Sequence, residues 1–144
     1  MKPIIYCDMD GVLADFDKVK NAVAIYKTQP NFFYDLEPIS ENVNTIKQLI
    51  AKNYLVKILS KSPHENADND KRKWLAKYLP EIKDENIIFA RPHETKISFV
   101  DELEKHFSLL LDDYEKNIQE WRNENGLAFK ITKERTIPKW FVIE

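Results

Sequence analysis

Glycine is scarce in this chain: 2 of 144 residues, where average usage near 7% would supply about ten. One of the two, Gly11, directly follows an aspartate pair; the other, Gly126, closes the segment "WRNENG", where a helix stop is the plain role. Cysteine is rarer still. Cys7 stands alone, so no internal disulfide can form. No apolar run approaches the roughly 20 residues of a membrane span, and no long apolar segment opens the chain as a secretory signal would. A reducing, cytoplasmic setting is therefore the expectation. Charge of one sign is lacking too: 22 Lys and Arg stand against 24 Asp and Glu, a net charge of −2. Binding to a nucleic-acid polymer or an anionic membrane would need a local basic patch, and neither partner is expected. Repeats, low-complexity tracts and linkers are absent. What remains, 43% hydrophobic and 32% charged, is the composition of a folded soluble protein. Its length, residues 1–144, suits one domain.

Apolar runs alternate with segments of helical period. "PIIYC", "YLVKILS", "NIIFA", "FSLLLDD" and "LAFKI" read as strands, and "WFVIE" as a short sixth. Between them, Phe16, Val19, Val23 and Tyr26 recur at helical spacing. So do Val43, Ile46, Leu49 and Ile50, with Ser40 as N-cap, and Trp74, Leu75, Tyr78 and Leu79, stopped by Pro80. Ile97, Val100 and Leu103 suggest a further helix, as do Ile118 and Trp121. This alternation predicts an α/β fold with a mainly parallel sheet covered on both faces. The stretch Thr28–Ser40, with two prolines and several aromatics, is too long for a simple connection. It is expected to be a lid or recognition loop, with Phe32, Phe33 and Tyr34 available to stack on a base.

In open parallel sheets, ligands bind beyond the carboxyl ends of the strands. The first strand ends in Asp8 and Asp10, the second in Ser60, and the fourth in Asp112 and Asp113; Lys96 follows the third. Several carboxylates at one rim repel unless a cation sits among them. Oxygen-only ligands suit Mg²⁺, which keeps waters and shares phosphate oxygens. A lysine and a hydroxyl beside it would hold a phosphate's remaining oxygens, and Gly11 would let backbone N–H groups approach the anion. One aspartate is then placed as nucleophile and its neighbour as proton donor and acceptor.

"DMDGVLADF", "ILS", a lysine after the third strand, and "LLLDDYEKN" occur here in that order. Together they resemble the haloacid dehalogenase-like (HAD) superfamily of phosphohydrolases, and within it the 5'(3')-deoxyribonucleotidase group. The resemblance covers Ile4 to Trp121. It implies a three-layer α/β/α Rossmann-like core, residues 1–15 and 41–144, with a small helical and loop cap inserted at about 16–40. That cap is shorter than in the group's nucleotidases, which leaves the site more open. The resemblance further implies an aspartyl-phosphate mechanism on a small phosphorylated substrate such as a nucleoside monophosphate. Asp8 attacks phosphorus, and Asp10 protonates the leaving oxygen and then takes a proton from water. Ser60 and Lys96 bind phosphate, with Met9, Gly11 and Phe16 against the substrate. Mg²⁺ is held by Asp8, the Asp10 carbonyl and Asp113, with Asp112 supporting them or standing in as a ligand. Lys71 and Lys73 rival Lys96 as the phosphate lysine.

Other readings compete with this one. A phosphatase of the same superfamily acting on a sugar phosphate uses the same residues. A receiver-like signalling domain also combines acids, a hydroxyl, a lysine and Mg²⁺, but its acid pair ends the first strand and its lysine the last; a phosphate-binding homologue without catalysis would lack a catalytic acid. A calcium loop is excluded, since Leu13 and Val19 occupy its glycine and glutamate positions. The lysines of "DKRKWLAKYL" are expected on the solvated face opposite Trp74, Leu75 and Tyr78. His64, His93 and His106 lack metal-ligand spacing, and Cys7 points away from Asp8 by strand alternation.

Overall fold

A computed structural model describes residues 2–139. The strands are β1 (Ile4–Cys7), β2 (Val56–Lys61), β3 (Ile87–Ala90), β4 (Ser108–Asp112) and β5 (Leu127–Lys130). They form one sheet in the order β3-β2-β1-β4-β5, every pair parallel. Alternate residues of the apolar runs face opposite layers, which is why the runs need no polar side. Ile5, Cys7, Val56, Ile58, Leu109 and Leu111 pack on one face with Trp74, Leu75, Ile46 and Leu49. Ile4, Tyr6, Leu59 and Leu110 pack on the other with Ile118 and Trp121, where the Tyr6 and Trp121 rings lie 5.3 Å apart. This is the α/β core expected. The possible sixth strand, Trp140–Glu144, lies outside the described residues.

Among the described residues four α-helices accompany the sheet: α1 (Ala22–Ile25), α2 (Ser40–Ala51), α3 (Glu65–Tyr78) and α4 (Glu115–Asn123). None among the described residues is long and apolar enough to cross a membrane. The helix expected over Phe16–Tyr26 is a 3-10 turn at Phe16–Lys18 and the single turn α1. Asn21, at φ 63°, takes the left-handed conformation between them and breaks the period. The Ile97–Leu103 helix is likewise two 3-10 segments, Lys96–Phe99 and Glu102–Phe107. There the Asp101 side chain accepts from the Leu103 N–H and starts a new turn, leaving Leu103 80% exposed. Ser40 is the first residue of α2 rather than its cap. The left-handed residue after α4 is Asn125 and not Gly126. Gly126 is required instead by packing, since a Cβ there would lie 2.4 Å from the Trp121 ring.

The 28–40 stretch does not stand off as a lid. Phe32, Phe33 and Leu36 are each only 2% exposed and join the main core, Phe16 and Tyr26 packing against them; only Tyr34 of the aromatic trio reaches solvent. Two struts tie this insertion to α3. The Trp74 indole donates to Leu36 O at 2.8 Å, and His64 Nε2 lies 3.0 Å from Lys27 O. His64 Nδ1 also accepts from the Ala67 N–H and caps α3.

Candidate active site

Chain order places the site. After β1 the chain moves outward through β2 and β3, then returns to lay β4 on the other side of β1. The crevice between β1 and β4 is thus the point where strand order reverses, the usual ligand position in such sheets. Cys7 pairs with Leu111, and the Asp8 N–H donates to Leu111 O at 2.9 Å. The residues at the ends of these strands, Asp8 and the Asp112–Asp113 doublet, therefore meet. Carboxylate oxygens of Asp8, Asp112 and Asp113 lie within 4.8 Å of one another.

Lys96 joins them. Its ammonium donates to Asp8 Oδ1 at 2.9 Å and to Asp112 Oδ2 at 2.8 Å, and it is 2% exposed. Its third N–H has no acceptor among the described residues. Asp112 is fully occupied: Oδ2 also accepts from Asn117 Nδ2 at 3.1 Å, and Oδ1 from the Tyr114 N–H at 3.0 Å. Burial opposes charge on Asp112, but Lys96 and these donors overcome it and hold its carboxyl below the usual range. Asp8 goes the other way, raised well above that range by burial and by the Asp112 charge, against the pull of Lys96. Asp113 is pushed up to about 6, chiefly by burial. Two of the three acids therefore resist ionisation as they stand, and the three together form a group that could hold a cation.

Gly11 explains how Asp113 fits. With φ at 84°, it has no side chain where a Cβ would lie 2.0 Å from Asp113 Oδ2. Its N–H is not free for an anion as expected, because it donates to Ala14 O at 2.8 Å. Met9 is fully buried, and its carbonyl takes the N–H groups of Val12, Leu13 and Ala14 in a tight turn. No described N–H occupies the Asp10 carbonyl. Phe16 is half-buried, edge-on to Tyr26 and Phe32.

A second buried lysine lies on the β2 side. Lys71 in α3 is 0% exposed. It donates to Asp10 Oδ2, Ser60 Oγ and Lys61 O, each at 2.8 Å, and the Phe33 ring centroid lies 4.4 Å from its nitrogen. The expected solvated lysine face of α3 is thus wrong at this position, though Lys73 is exposed. Lys71, Trp74, Leu75 and Tyr78 stand at i, i+3, i+4 and i+7, so Lys71 belongs to the apolar stripe; its spacing was the available signal. Asp10 Oδ1 is buried without a hydrogen-bond partner among the described residues. Beside Lys71, Arg91 at the end of β3 makes two 2.8 Å bonds to Asp68 of α3, a pair that the strand-end reading missed. Cys7 is a buried thiol, pushed up by burial, that donates to Asp8 O at 3.2 Å.

A cavity of about 550 Å³ opens beside Gly11 and Asp113, bounded by Asp15, Asp17 and Thr132. Asp8 and Asp10 do not line it; Asp8 is only 6% exposed.

Comparison with known proteins adds a separate line. A family model described as 5' nucleotidase, deoxy (pyrimidine), cytosolic type C protein matches residues 18–140. A protein of Vibrio phage KVP40, named as a candidate 5'(3')-deoxyribonucleotidase, is 28% identical in a 127-position alignment that covers 81% of this chain and 69% of the phage protein. Among solved structures, a HAD family enzyme from Bacteroides thetaiotaomicron, in complex with magnesium and inorganic phosphate, superposes with a TM-score of 0.61 at 14% identity over 100% of both chains. A chain of the Pnkp1/Rnl/Hen1 complex superposes with a TM-score of 0.61 at 21% identity, covering 91% of this chain. This chain spans only 46% of that one's length. At such identities the two structures speak for the fold alone.

Proposed function

This chain belongs to the 5' nucleotidase, deoxy (pyrimidine), cytosolic type C family, nucleotidase-like phosphoric monoester hydrolases on the HAD fold. On that premise we propose that it is a Mg²⁺-dependent phosphomonoesterase that hydrolyses nucleoside monophosphates through a phosphorylated Asp8. The observation that carries this reading is the meeting of Asp8, Asp113 and Lys96 at the β1/β4 crevice, with Asp10 beside them.

The donor set fits the metal. Asp8 and Asp113 offer carboxylate oxygens, and Asp10 a backbone carbonyl; all are hard oxygen donors suited to Mg²⁺. Asp112, with both oxygens engaged, supports Lys96 rather than acting as a ligand. When bound, Mg²⁺ would neutralise charge on the transferring phosphoryl group and allow Asp8 to ionise.

The chain's own residues supply the rest. The Asp8 oxygen not held by Lys96 attacks phosphorus, and the bond to the leaving ester oxygen breaks. Asp10 gives that oxygen a proton through Oδ1. Water then attacks the phosphorus of the Asp8 acyl phosphate, giving its proton back to Asp10, and phosphate leaves with Asp8 restored. The free N–H of Lys96 holds a phosphoryl oxygen throughout. Ser60 is fully buried, its hydroxyl accepting from Lys71. Residues 16–40 form a small cap whose aromatics brace the core, so the leaving nucleoside meets an open rim.

Hydrolysis of deoxynucleoside monophosphates beside sugar phosphates, with and without Mg²⁺, tests the proposal. Faster turnover of the deoxynucleotides is expected. Sugar phosphates turning over far faster would remove the nucleotidase reading while keeping the phosphatase.

A further inference from the structure

Of the three rival lysines Lys73 is exposed, and the two buried ones can be told apart by what their ammonium groups have left to give. An ammonium has three donors. Lys71 uses all three, on Asp10 Oδ2, Ser60 Oγ and Lys61 O at 2.8 Å each. The Phe33 ring lies 4.4 Å away on another side, a cation–π contact that also excludes water. Lys71 therefore has nothing to offer a phosphate unless it breaks an existing bond. Lys96 spends two donors and keeps one.

Asp10 shows the complementary pattern. Oδ2 is tied to Lys71, while Oδ1 is buried with no partner among the described residues. An unpartnered buried carboxylate oxygen is unfavourable and persists where the surroundings impose it. Here they impose one rotamer: Lys71 fixes one oxygen against Ser60 and leaves the other as the atom that handles the proton.

Resting on the function proposed above, we propose that Lys71 is a positioning residue for Asp10 rather than the phosphate-binding lysine. The insertion then has a purpose other than reading a base. Phe33 seals the ammonium, and the Trp74–Leu36 and His64–Lys27 contacts hold α3, which carries Lys71, against the insertion.

The test compares leaving groups. A nucleoside 5'-monophosphate expels a poor leaving alkoxide that needs a proton; p-nitrophenyl phosphate expels a phenolate that hardly does. A misplaced Asp10 harms the first far more. Lys71→Met should lower kcat/KM on the nucleotide on the order of 100-fold, the usual scale of general acid catalysis, and on p-nitrophenyl phosphate by less than about tenfold. Affinity for fluoroberyllate in the presence of Mg²⁺, which reports Asp8 and Lys96, should hold within a few-fold. Lys71→Arg should restore part of the nucleotide rate. On an Asp10→Asn background, Lys71→Met should add almost nothing, because its effect runs through the lost carboxyl.

Equal losses on both esters, weaker fluoroberyllate binding, or full additivity with Asp10→Asn would each overturn the inference. Should Lys71→Met fail to fold, Phe33→Leu keeps the ammonium and removes the ring that covers it, with a small loss of core packing. It should move the ratio of the two esters in the same direction by a few-fold, and an unchanged ratio also counts against the idea. The nucleotidase reading fails separately, if the wild-type protein hydrolyses neither ester.

Discussion

Two buried lysines flank the same pair of aspartates and differ in how they are used. On the β4 side, Lys96 lies between Asp8 and Asp112, within a group of three acids whose oxygens converge within 4.8 Å. On the β2 side, Lys71 meets one acid, a hydroxyl and a carbonyl, and an aromatic ring covers it. The first region gathers three acids around one ammonium, and in the function proposed here it receives a cation and a phosphoryl group. The second is saturated, which suits the positioning role proposed for Lys71. Burial and charge are common to both lysines; what separates them is the count of unused donors, on which the proposed division of roles rests.

Substitutions can break this contrast, and the largest effect belongs to the nucleophile. Asp8→Asn should abolish turnover, a loss on the order of 10⁴-fold or more. The metal-free fold should be at least as stable, because burial and Asp112 already disfavour a charge at this position. A thermal unfolding curve beside a phosphate-release assay checks both halves.

Lys96→Met comes next. It leaves Asp8 and Asp112 buried without their shared cation, so about 3–5 kcal/mol of stability should be lost without metal. Fluoroberyllate binding should vanish, in contrast to Lys71→Met. Mg²⁺ should recover part of the stability. Chemical denaturation with and without the ion shows whether it does.

Gly11→Ala places a Cβ against Asp113 Oδ2 at a left-handed φ. About 1–2 kcal/mol of strain is expected, with Mg²⁺ affinity lowered about 10- to 100-fold as Asp113 is displaced. An Mg²⁺ titration of activity reads this directly. Unchanged affinity would remove Asp113 as a ligand.

The smallest effect lies at the edge of the Lys71 region. Burial raises Asp68 but its bonds to Arg91 outweigh that, holding its carboxyl below the ordinary value. A carboxyl lowered by folding adds stability above its unfolded pKa of about 4, and this is lost as pH falls through the folded value. Both side chains are partly exposed, so solvent screening limits the pair to about 1 kcal/mol or less. Asp68→Ala should thus be slightly less stable than wild type at pH 7 and equal to it near pH 2. A gap that widens on acidification would reverse the sign argued here.

Much of this was legible beforehand. The parallel sheet followed from apolar runs with no polar side. Asp8, Ser60, Asp112 and Asp113 stood out because each directly follows or ends such a run, with Asp10 two residues beyond Asp8, and register then brings Asp8 to the Asp112–Asp113 doublet. Lys71 was hidden by its neighbours: in a run of basic residues it reads as surface, and only its place on the Trp74–Leu75–Tyr78 stripe gives it away. Phe32 and Phe33 read as loop aromatics because the core that takes them comes from distant segments. The purpose of Gly11 could not be seen without the carboxylate it accommodates. The 3-10 segments failed as helices because apolar spacing records which residues are buried, not how tightly the backbone winds.

The most direct test is phosphate release from a deoxynucleoside 5'-monophosphate by the wild-type chain and by Asp8→Asn, each with Mg²⁺ and with a chelator. The account predicts turnover only for the wild-type protein with Mg²⁺. Comparable rates from Asp8→Asn, or undiminished wild-type turnover in the chelator, would contradict it.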